Sequence, residues 1–233
     1  MNNLFKLENG LEKIGILSEN QNEICTKLDK YIKEIILFNS AYNLTNTSDY
    51  DEIVVNHILD SLAPYKIFLQ IYNDFKQKNN DEKFKIADIG SGGGLPGIPL
   101  AIVFPQFDFT LVERMDKRCA FLENCAAICG LKNVTVQKKE AEKVPAESFD
   151  VATFRAFRPL DKKMTKTLLS LIKKDGILLA YKAKTENIYA EMNSLKDLKL
   201  NFSVEKLYVP FLTEKTDKND ERERNIVLIK SEL

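Results

Sequence analysis

The densest chemistry in the chain lies between Asp88 and Gly97, in the run D-I-G-S-G-G-G-L-P-G. Glycines placed after a buried strand allow a tight turn and let a ligand approach the backbone. Read literally, Gly92, Gly94 and Gly97 spell the dinucleotide fingerprint G-x-G-x-x-G. Two neighbours argue against a dinucleotide. Asp88 stands two residues before Gly90, beside the turn where a pyrophosphate would sit. At an effective dielectric near 20, like charges about 4 Å apart repel by roughly 4 kcal/mol. Pro96 falls where the dinucleotide fold needs amide donors at the start of its helix.

A cationic ligand reverses the sign of the first objection. S-adenosyl-L-methionine carries a sulfonium and an ammonium against one carboxylate, so an acid at Asp88 suits it. The alternative for Asp88 is a cap on the glycine turn. A second acid, Glu113, ends the run L-V-E at 111–113. A carboxylate there accepts hydrogen bonds from ribose hydroxyls in either kind of nucleotide fold, so Glu113 does not discriminate and Asp88 does. A third cluster, Thr153-Phe154-Arg155-Ala156, ends a later apolar run. A strand-end arginine beside a ligand cleft is costly to bury without a partner.

These residues need elements to hold them. From Phe84 onward, short apolar runs alternate with helical stretches. Strands are expected at 84–89, 108–112, 133–136, 149–153 and 176–181, and helices near 96–104, 116–129 and 160–172. That is a βαβ series and predicts a Rossmann-like α/β fold with helices on both faces of a mostly parallel sheet. Two further strands, Phe202–Val209 and Asn225–Ile229, flank the charged loop Thr213–Arg224 and read as an antiparallel hairpin. The first 72 residues read as a helical extension to a domain over 84–233. An S-x-x-Q capping box at Ser18–Gln21 opens a helix carrying Ile24, Leu28, Tyr31, Ile32, Ile35 and Ile36, which stops near Asn39–Asn43. A second helix is expected from Asp51 to about Leu69, and the polar segment Asn73–Lys83 as a linker.

Composition bounds the rest. Across 233 residues, 34 basic and 34 acidic side chains balance, and 44% hydrophobic residues exclude a disordered chain. The length suits one core domain with a small addition. The stretch from Leu95 to Phe104 holds two prolines and is too short for a membrane span. The N-terminus has no basic segment leading into an apolar one, so no signal peptide is read there. Four cysteines without a C-x-x-C pair, and a single histidine, argue against zinc and for a reducing, cytoplasmic setting. The net charge runs from −5 over residues 1–60 to +5 over residues 151–233. The C-terminal third is therefore where a polyanion is expected.

The combination of blocks resembles the bacterial RsmG family, formerly called the glucose-inhibited division protein B. The blocks are A-Y-N-L-T at Ala41–Thr45, H-I-L-D-S-L at His57–Leu62 and D-I-G-S-G-G-G-L-P-G-I-P-L-A at Asp88–Ala101. K-R-x-x-F-L at Lys117–Leu122 and R-A-F at Arg155–Phe157 follow in order. The resemblance implies a class I S-adenosylmethionine-dependent methyltransferase fold with a seven-stranded sheet. It also implies methylation of N7 of one guanine in 16S ribosomal RNA, guanine 527 of the 530 loop. By the same resemblance, Gly90, Gly92 and Leu95 line the cofactor site with Asp88, Glu113 lies at the ribose end, and Ala141 and Glu142 lie beside the adenine. Arg155 sits where cofactor and RNA meet and is the catalytic candidate. Arg118, Arg158 and Lys182 are the expected RNA contacts, on the small ribosomal subunit. A monomer without metal or membrane attachment is expected. Glu113 departs from the family's more usual Asp, and Tyr181 and Ala183 flank Lys182 where the family has A-L-K-G.

The chemistry fits a ring nitrogen. Methyl transfer from a sulfonium is an in-line displacement that asks for alignment, and guanine N7 offers an unprotonated lone pair. Enzymes for exocyclic amines place Asn or Asp before Pro-Pro-aromatic at the position where this chain has T-F-R-A. Carbon methylation of pyrimidines calls for a nucleophilic cysteine, whereas Cys119, Cys125 and Cys129 have apolar neighbours. Phe154, Arg155, Phe157 and Arg158 offer planes for an unstacked base. His57 reads as structural or substrate-orienting, with Asn43 and Asp60. Three rivals remain at this level: an NAD-dependent oxidoreductase, an RNA-binding module without chemistry, and a methyltransferase for protein or small molecules.

Overall fold

The structure is a computed structural model and describes residues 4–16, 20–78, 82–156, 160–214 and 222–231. Seven strands form one sheet in the order β3-β2-β1-β4-β5-β7-β6. They are β1 (Lys85–Ile89), β2 (Asp108–Glu113), β3 (Val134–Lys138), β4 (Phe149–Arg155), β5 (Ile172–Lys182), β6 (Asn201–Lys206) and β7 (Asn225–Lys230). β1 pairs in parallel with β2 and β4, β2 with β3, and β4 with β5. β7 runs antiparallel to both β5 and β6. The strand order reverses between β1 and β4, the place where open α/β sheets bind ligands.

The helices are α1 (Leu4–Ile14), α2 (Gln21–Tyr42), α3 (Tyr50–Ile53), α4 (Asp60–Leu62), α5 (Tyr65–Lys78), α6 (Gly97–Val103), α7 (Asp116–Ile128), α8 (Lys162–Leu171) and α9 (Thr185–Ser194). A π-helical turn, Val54–Leu59, joins α3 to α4. The central strands are apolar on both sides because both sides are covered. In β1, Ile86 belongs to one core, with Leu28, Leu62, Leu100 and Leu122 from the helices of that face. Ala87 and Ile89 belong to the other, with Met164 and Leu168 of α8 and Ile188 and Met192 of α9.

Several expected boundaries move. The single helix expected from Asp51 to about Leu69 is four pieces, α3, the π-helical turn, α4 and α5, with a turn at Ala63–Pro64 before the last; Pro64 brings no amide to the hydrogen-bond ladder. The expected linker over Asn73–Lys83 starts inside α5, which runs to Lys78 and packs Tyr72 and Phe75 against Phe84. β5 begins four residues early, at Ile172, and its pairing with β4 shifts register between Phe149 and Val151. Ser18 of the expected capping box lies outside the described residues; α2 is preceded by Asn20, whose side chain makes no cap. α1 was covered only by the general reading of residues 1–72 as helical, and α9 had no counterpart in the sequence reading.

Candidate active site

β1 delivers Asp88 into the interior, 1% exposed. One oxygen, Oδ2, accepts from Ser91 Oγ at 2.7 Å and from the Gly97 amide at 3.0 Å. The amide that a pyrophosphate would need at the start of α6 is thus already taken by an acid. Oδ1 is buried and has no hydrogen-bond partner among the described residues. Burial pushes the carboxyl up to about 6, against the pull of the Ser91 and Gly97 hydrogen bonds and of Arg155. An orphaned acceptor at a glycine turn fits a ligand that carries a donor and a positive charge, as S-adenosylmethionine does.

The turn itself requires glycine. Gly90, Gly92 and Gly94 have φ of 68°, 58° and 89°, the left-handed region that side chains disfavour. A Cβ on Gly97 would meet Leu111 Cδ2 at 2.4 Å and Asp88 Oδ2 at 2.7 Å. Leu95 is buried behind the turn. Glu113 closes β2 and is also buried. Its Oε2 accepts from the Gly92 amide at 3.0 Å, and its Oε1 accepts from the Arg114 and Met115 amides at 2.8 and 2.9 Å. Glu113 therefore fixes the glycine loop from below, with one lone pair of Oε2 left for a ribose hydroxyl. Ala141 is buried and Glu142 exposed, on a short 3₁₀ turn (Ala141–Lys143) after β3. Arg118, read from sequence as an RNA contact, stands at this edge, with Nη1 4.0 Å from Glu113 Oε2. Arg158 lies outside the described residues.

Arg155 ends β4 and is held from above by the N-terminal helices. Its Nη1 donates to Asp60 Oδ2 at 2.8 Å, and its Nη2 lies 3.2 Å from His57 Nδ1. The backbone carbonyls of Asn56 and His57 accept from Nη1 at 3.4 and 3.5 Å. The other face of the Asp60 carboxylate meets Arg224, with Nε 3.3 Å from Oδ1. His57 Nε2 is 3.3 Å from Asn46 Oδ1. The consistent tautomer is neutral, with Nε2–H donating to Asn46 and Nδ1 accepting from Arg155. Burial, reinforced by Arg155 and Arg224, pushes the ring down to about 4. It is a poor base at neutral pH.

The H-I-L-D-S-L block thus acts as a clamp. His57 and Asp60 hold the end of β4, while the Ser61 carbonyl accepts from Tyr181 Oη at 2.7 Å and holds the end of β5. The π turn brings His57 and Asp60 to one side; such turns concentrate at functional sites. Sequence reasoning missed a second clamp. Tyr31 Oη donates to the Gly93 carbonyl at 2.5 Å, and a Cβ on Gly93 would meet Leu44 Cβ at 3.3 Å. Leu44 is held there because Asn39 Oδ1 accepts from the Leu44 and Thr45 amides, both at 2.9 Å. The N-L-T block is therefore a cover over the glycine loop, signalled only by its place after α2.

Beyond Arg155 opens a cleft of about 720 Å³, lined by Phe154, Arg155, Tyr181, Lys182, Glu191 and Arg224 among others. It lies at the C-terminal ends of β4 and β5, on the side of Arg155 away from the glycine loop. Lys182 falls inside it, where its Nζ contacts Glu191 Oε2 at 2.7 Å. All four cysteines are buried and free. Burial pushes the Cys129 thiol up to about 11 and Cys125 further, so none is prepared as a nucleophile. Among the described residues no acid–His–Cys group is arranged to hold a metal, and no helix is long and apolar enough to cross a membrane.

Sheet order, glycine turn and paired acids on β1 and β2 define a Rossmann-like class I S-adenosylmethionine-dependent methyltransferase. The same fold is found in a tRNA methyltransferase from Aquifex aeolicus, at a TM-score of 0.52 and 15% identity, covering 85% of this chain and 75% of that one. A SAM-dependent methyltransferase from the same organism gives 0.50 at 16% identity, covering 69% and 89%. The rRNA small subunit methyltransferase G family matches residues 24–226, and the chain belongs to it. Ribosomal RNA small subunit methyltransferase G of Treponema denticola is 39% identical, over 94% of this chain and 91% of that protein. The Oceanobacillus iheyensis protein of the same name is 34% identical, over 94% and 87%.

Proposed function

We propose that the protein methylates N7 of a guanine in the RNA of the small ribosomal subunit, guanine 527 of 16S ribosomal RNA. The observation that carries the choice of atom is the end of β4. There the side chain facing the reacting region is Arg155, locked by Asp60 and His57, and the nearest imidazole is held neutral with its pKa near 4. An exocyclic amine sheds a proton during methylation and calls for an acceptor at this place. N7 attacks with a lone pair and sheds none.

S-adenosylmethionine, when bound, supplies an electrophilic methyl: the S–CH₃ bond breaks, the N7–CH₃ bond forms, and the sulfonium's electron pair returns to sulfur. The positive charge passes to the purine, so the site gains no net charge. Asp88 offers its unpartnered oxygen to a cationic ligand, Glu113 shapes the loop and the ribose end, and Gly90, Gly92 and Leu95 with Ala141 and Glu142 form the remaining wall. Arg155 separates the cofactor side from the cleft and fixes the alignment that in-line transfer needs. Lys182 and Arg158 serve the RNA side. The enzyme acts as a monomer in the cytoplasm, and residues 1–72 form a helical extension docked on the methyltransferase domain of residues 84–233.

The test is transfer of labelled methyl to 30S subunits, to 50S subunits and to protein-free 16S RNA, with the modified base mapped. Label in 16S RNA on guanine N7 supports the reading. Label on a ribosomal protein, or on an exocyclic amine, defeats it.

A further inference from the structure

The cleft beyond Arg155 is walled by apolar side chains, Phe154, Ile188 and Leu207, around a small set of charged groups. Among the described residues it holds two carboxylates, Asp60 and Glu191. Asp60 is taken by Arg155 and Arg224. Glu191 is in a different position. Its Oε1 accepts from the Leu160 amide at 2.6 Å and from Lys182 Nζ at 2.9 Å, and its Oε2 is 2.7 Å from the same Nζ. Lys182 Nζ also lies 5.7 Å from the centre of the Phe154 ring. The pair is mostly sheltered, with the two side chains 17% and 14% exposed. A carboxylate oxygen has two lone pairs and an ammonium three protons. After these contacts, Oε2 keeps a lone pair and Nζ keeps a proton.

A fixed donor beside a fixed acceptor, at an apolar wall, is complementary to the edge of a base. Guanine presents on its Watson–Crick edge an acceptor, O6, followed by two donors, N1–H and the N2 amine. Adenine presents the reverse, an amine donor and then the N1 acceptor. An ammonium only donates and a carboxylate only accepts, so the pair matches guanine and opposes adenine. Engaging this edge leaves N7 free, because N7 lies on the other edge of the purine. Methylation makes the purine cationic and N1–H more acidic. The carboxylate contact therefore strengthens as the reaction proceeds, which favours the transition state over bound substrate.

We propose that Lys182 and Glu191 read the Watson–Crick edge of the acceptor guanine, Lys182 donating to O6 and the one open lone pair of Glu191 Oε2 being shared by the parallel N1–H and N2 amine donors. This rests on the N7 reading above. Glu191 is the specificity-determining residue of the pair.

The experiment uses the full chain and small subunits reconstituted on 16S RNA that carries, at the methylated position, either guanine or inosine, which lacks the N2 amine. Wild-type protein should lose about 10- to 100-fold in kcat/KM on inosine, the range for one well-made base contact. In Glu191→Gln the amide oxygen keeps the Leu160 cap and the amide nitrogen replaces Oε2, setting a donor against donors. That variant should fall at least 10-fold on guanine, bring the guanine-to-inosine ratio within about 3-fold of unity, and bind S-adenosylmethionine as wild type does. Lys182→Met should lose activity on both substrates and keep their ratio, because both carry O6; this second variant stands if the first does not fold. A wild-type ratio in folded Glu191→Gln, or equal wild-type rates on guanine and inosine, overturns the proposal and leaves N7 methylation standing. Absence of label on guanine in wild type would instead overturn the functional reading beneath it.

Discussion

Arg155 and Asp60 meet at 2.8 Å where the end of β4 passes under the N-terminal helices, and both side chains are largely buried. The contact joins the sheet to the clamp formed by the H-I-L-D-S-L block, so the helical extension sets the position of the arginine that ends β4. Asp60 also faces Arg224 at the start of β7, which makes one carboxylate the hub of three separate chain segments.

Breaking that hub at its centre should cost more than breaking it at its edge. Asp60→Ala leaves two guanidinium groups facing each other and should lose about 3–5 kcal/mol, the range for an orphaned buried charge. Arg155→Ala leaves Asp60 with Arg224 and should lose less stability but nearly all turnover, with RNA affinity retained. Urea unfolding and single-turnover methylation read the two effects separately. Wild-type methylation by Arg155→Ala would contradict the placement of the reacting centre at β4.

Cofactor affinity should depend on the charge of Asp88. With its carboxyl raised to about 6, the anion that complements a cationic ligand forms as pH rises through that value. S-adenosylmethionine should therefore bind more tightly at about pH 7 than at about pH 5, with proton release below neutrality. Asp88→Asn should remove this pH dependence and weaken binding by about 1–3 kcal/mol, the worth of a charged hydrogen bond. Calorimetry that finds pH-independent affinity in the wild type would count against it.

His57 should shape acid stability in the opposite sense. Its folded value near 4 lies below the ordinary value near 6.5. Between those limits the unfolded chain holds more protons, so the histidine's contribution is complete above about pH 6.5 and is lost as pH falls toward 4. Asp88, raised from about 4 to about 6, has the reverse slope across part of the same window. His57→Gln should flatten the loss of stability on acidification, and Asp88→Asn should steepen it. Urea midpoints at about pH 4.5, 5.5 and 6.5 decide between these slopes and none.

RNA binding should fall steeply with salt. Residues 151–233 carry a net +5, and each phosphate neutralised on a single strand adds about 0.7 to the slope of log affinity against log salt. Replacing Lys162 and Lys163 should flatten the slope without changing which base is modified. The effect of Lys162 should be the smaller, because it already pairs with Asp197. A slope unaltered by the double replacement would move the RNA track elsewhere.

What the sequence made legible follows from what each element buries. The central parallel strands are largely apolar on both faces, so β1, β2 and β4 stand out to within two residues at either end. α1 was read only within a general helical extension, and Gly10 inside it gave no sign of its role. In the fold it is a point of close approach, where an added Cβ would meet Leu59 Cδ1 at 2.4 Å. α9 buries only Ile188 and Met192 within its span, too few to print a helical period. Asp88 and Glu113 were readable as an acidic pair around glycines, but their backbone partners were not. Arg155 could be singled out; its partners could not, since His57 and Asp60 lie more than 90 residues away in sequence. Glu191 gave no local signal, because it lies on α9 and its partner Lys182 ends β5.

One measurement bears most directly on the whole account. Labelled methyl is transferred by the purified chain to small ribosomal subunits, and the product nucleoside is identified after digestion. The account predicts a single labelled species, 7-methylguanosine from one site in 16S ribosomal RNA, lost in Arg155→Ala that still binds S-adenosylmethionine. Label on an exocyclic amine, on protein, or undiminished in Arg155→Ala would contradict it.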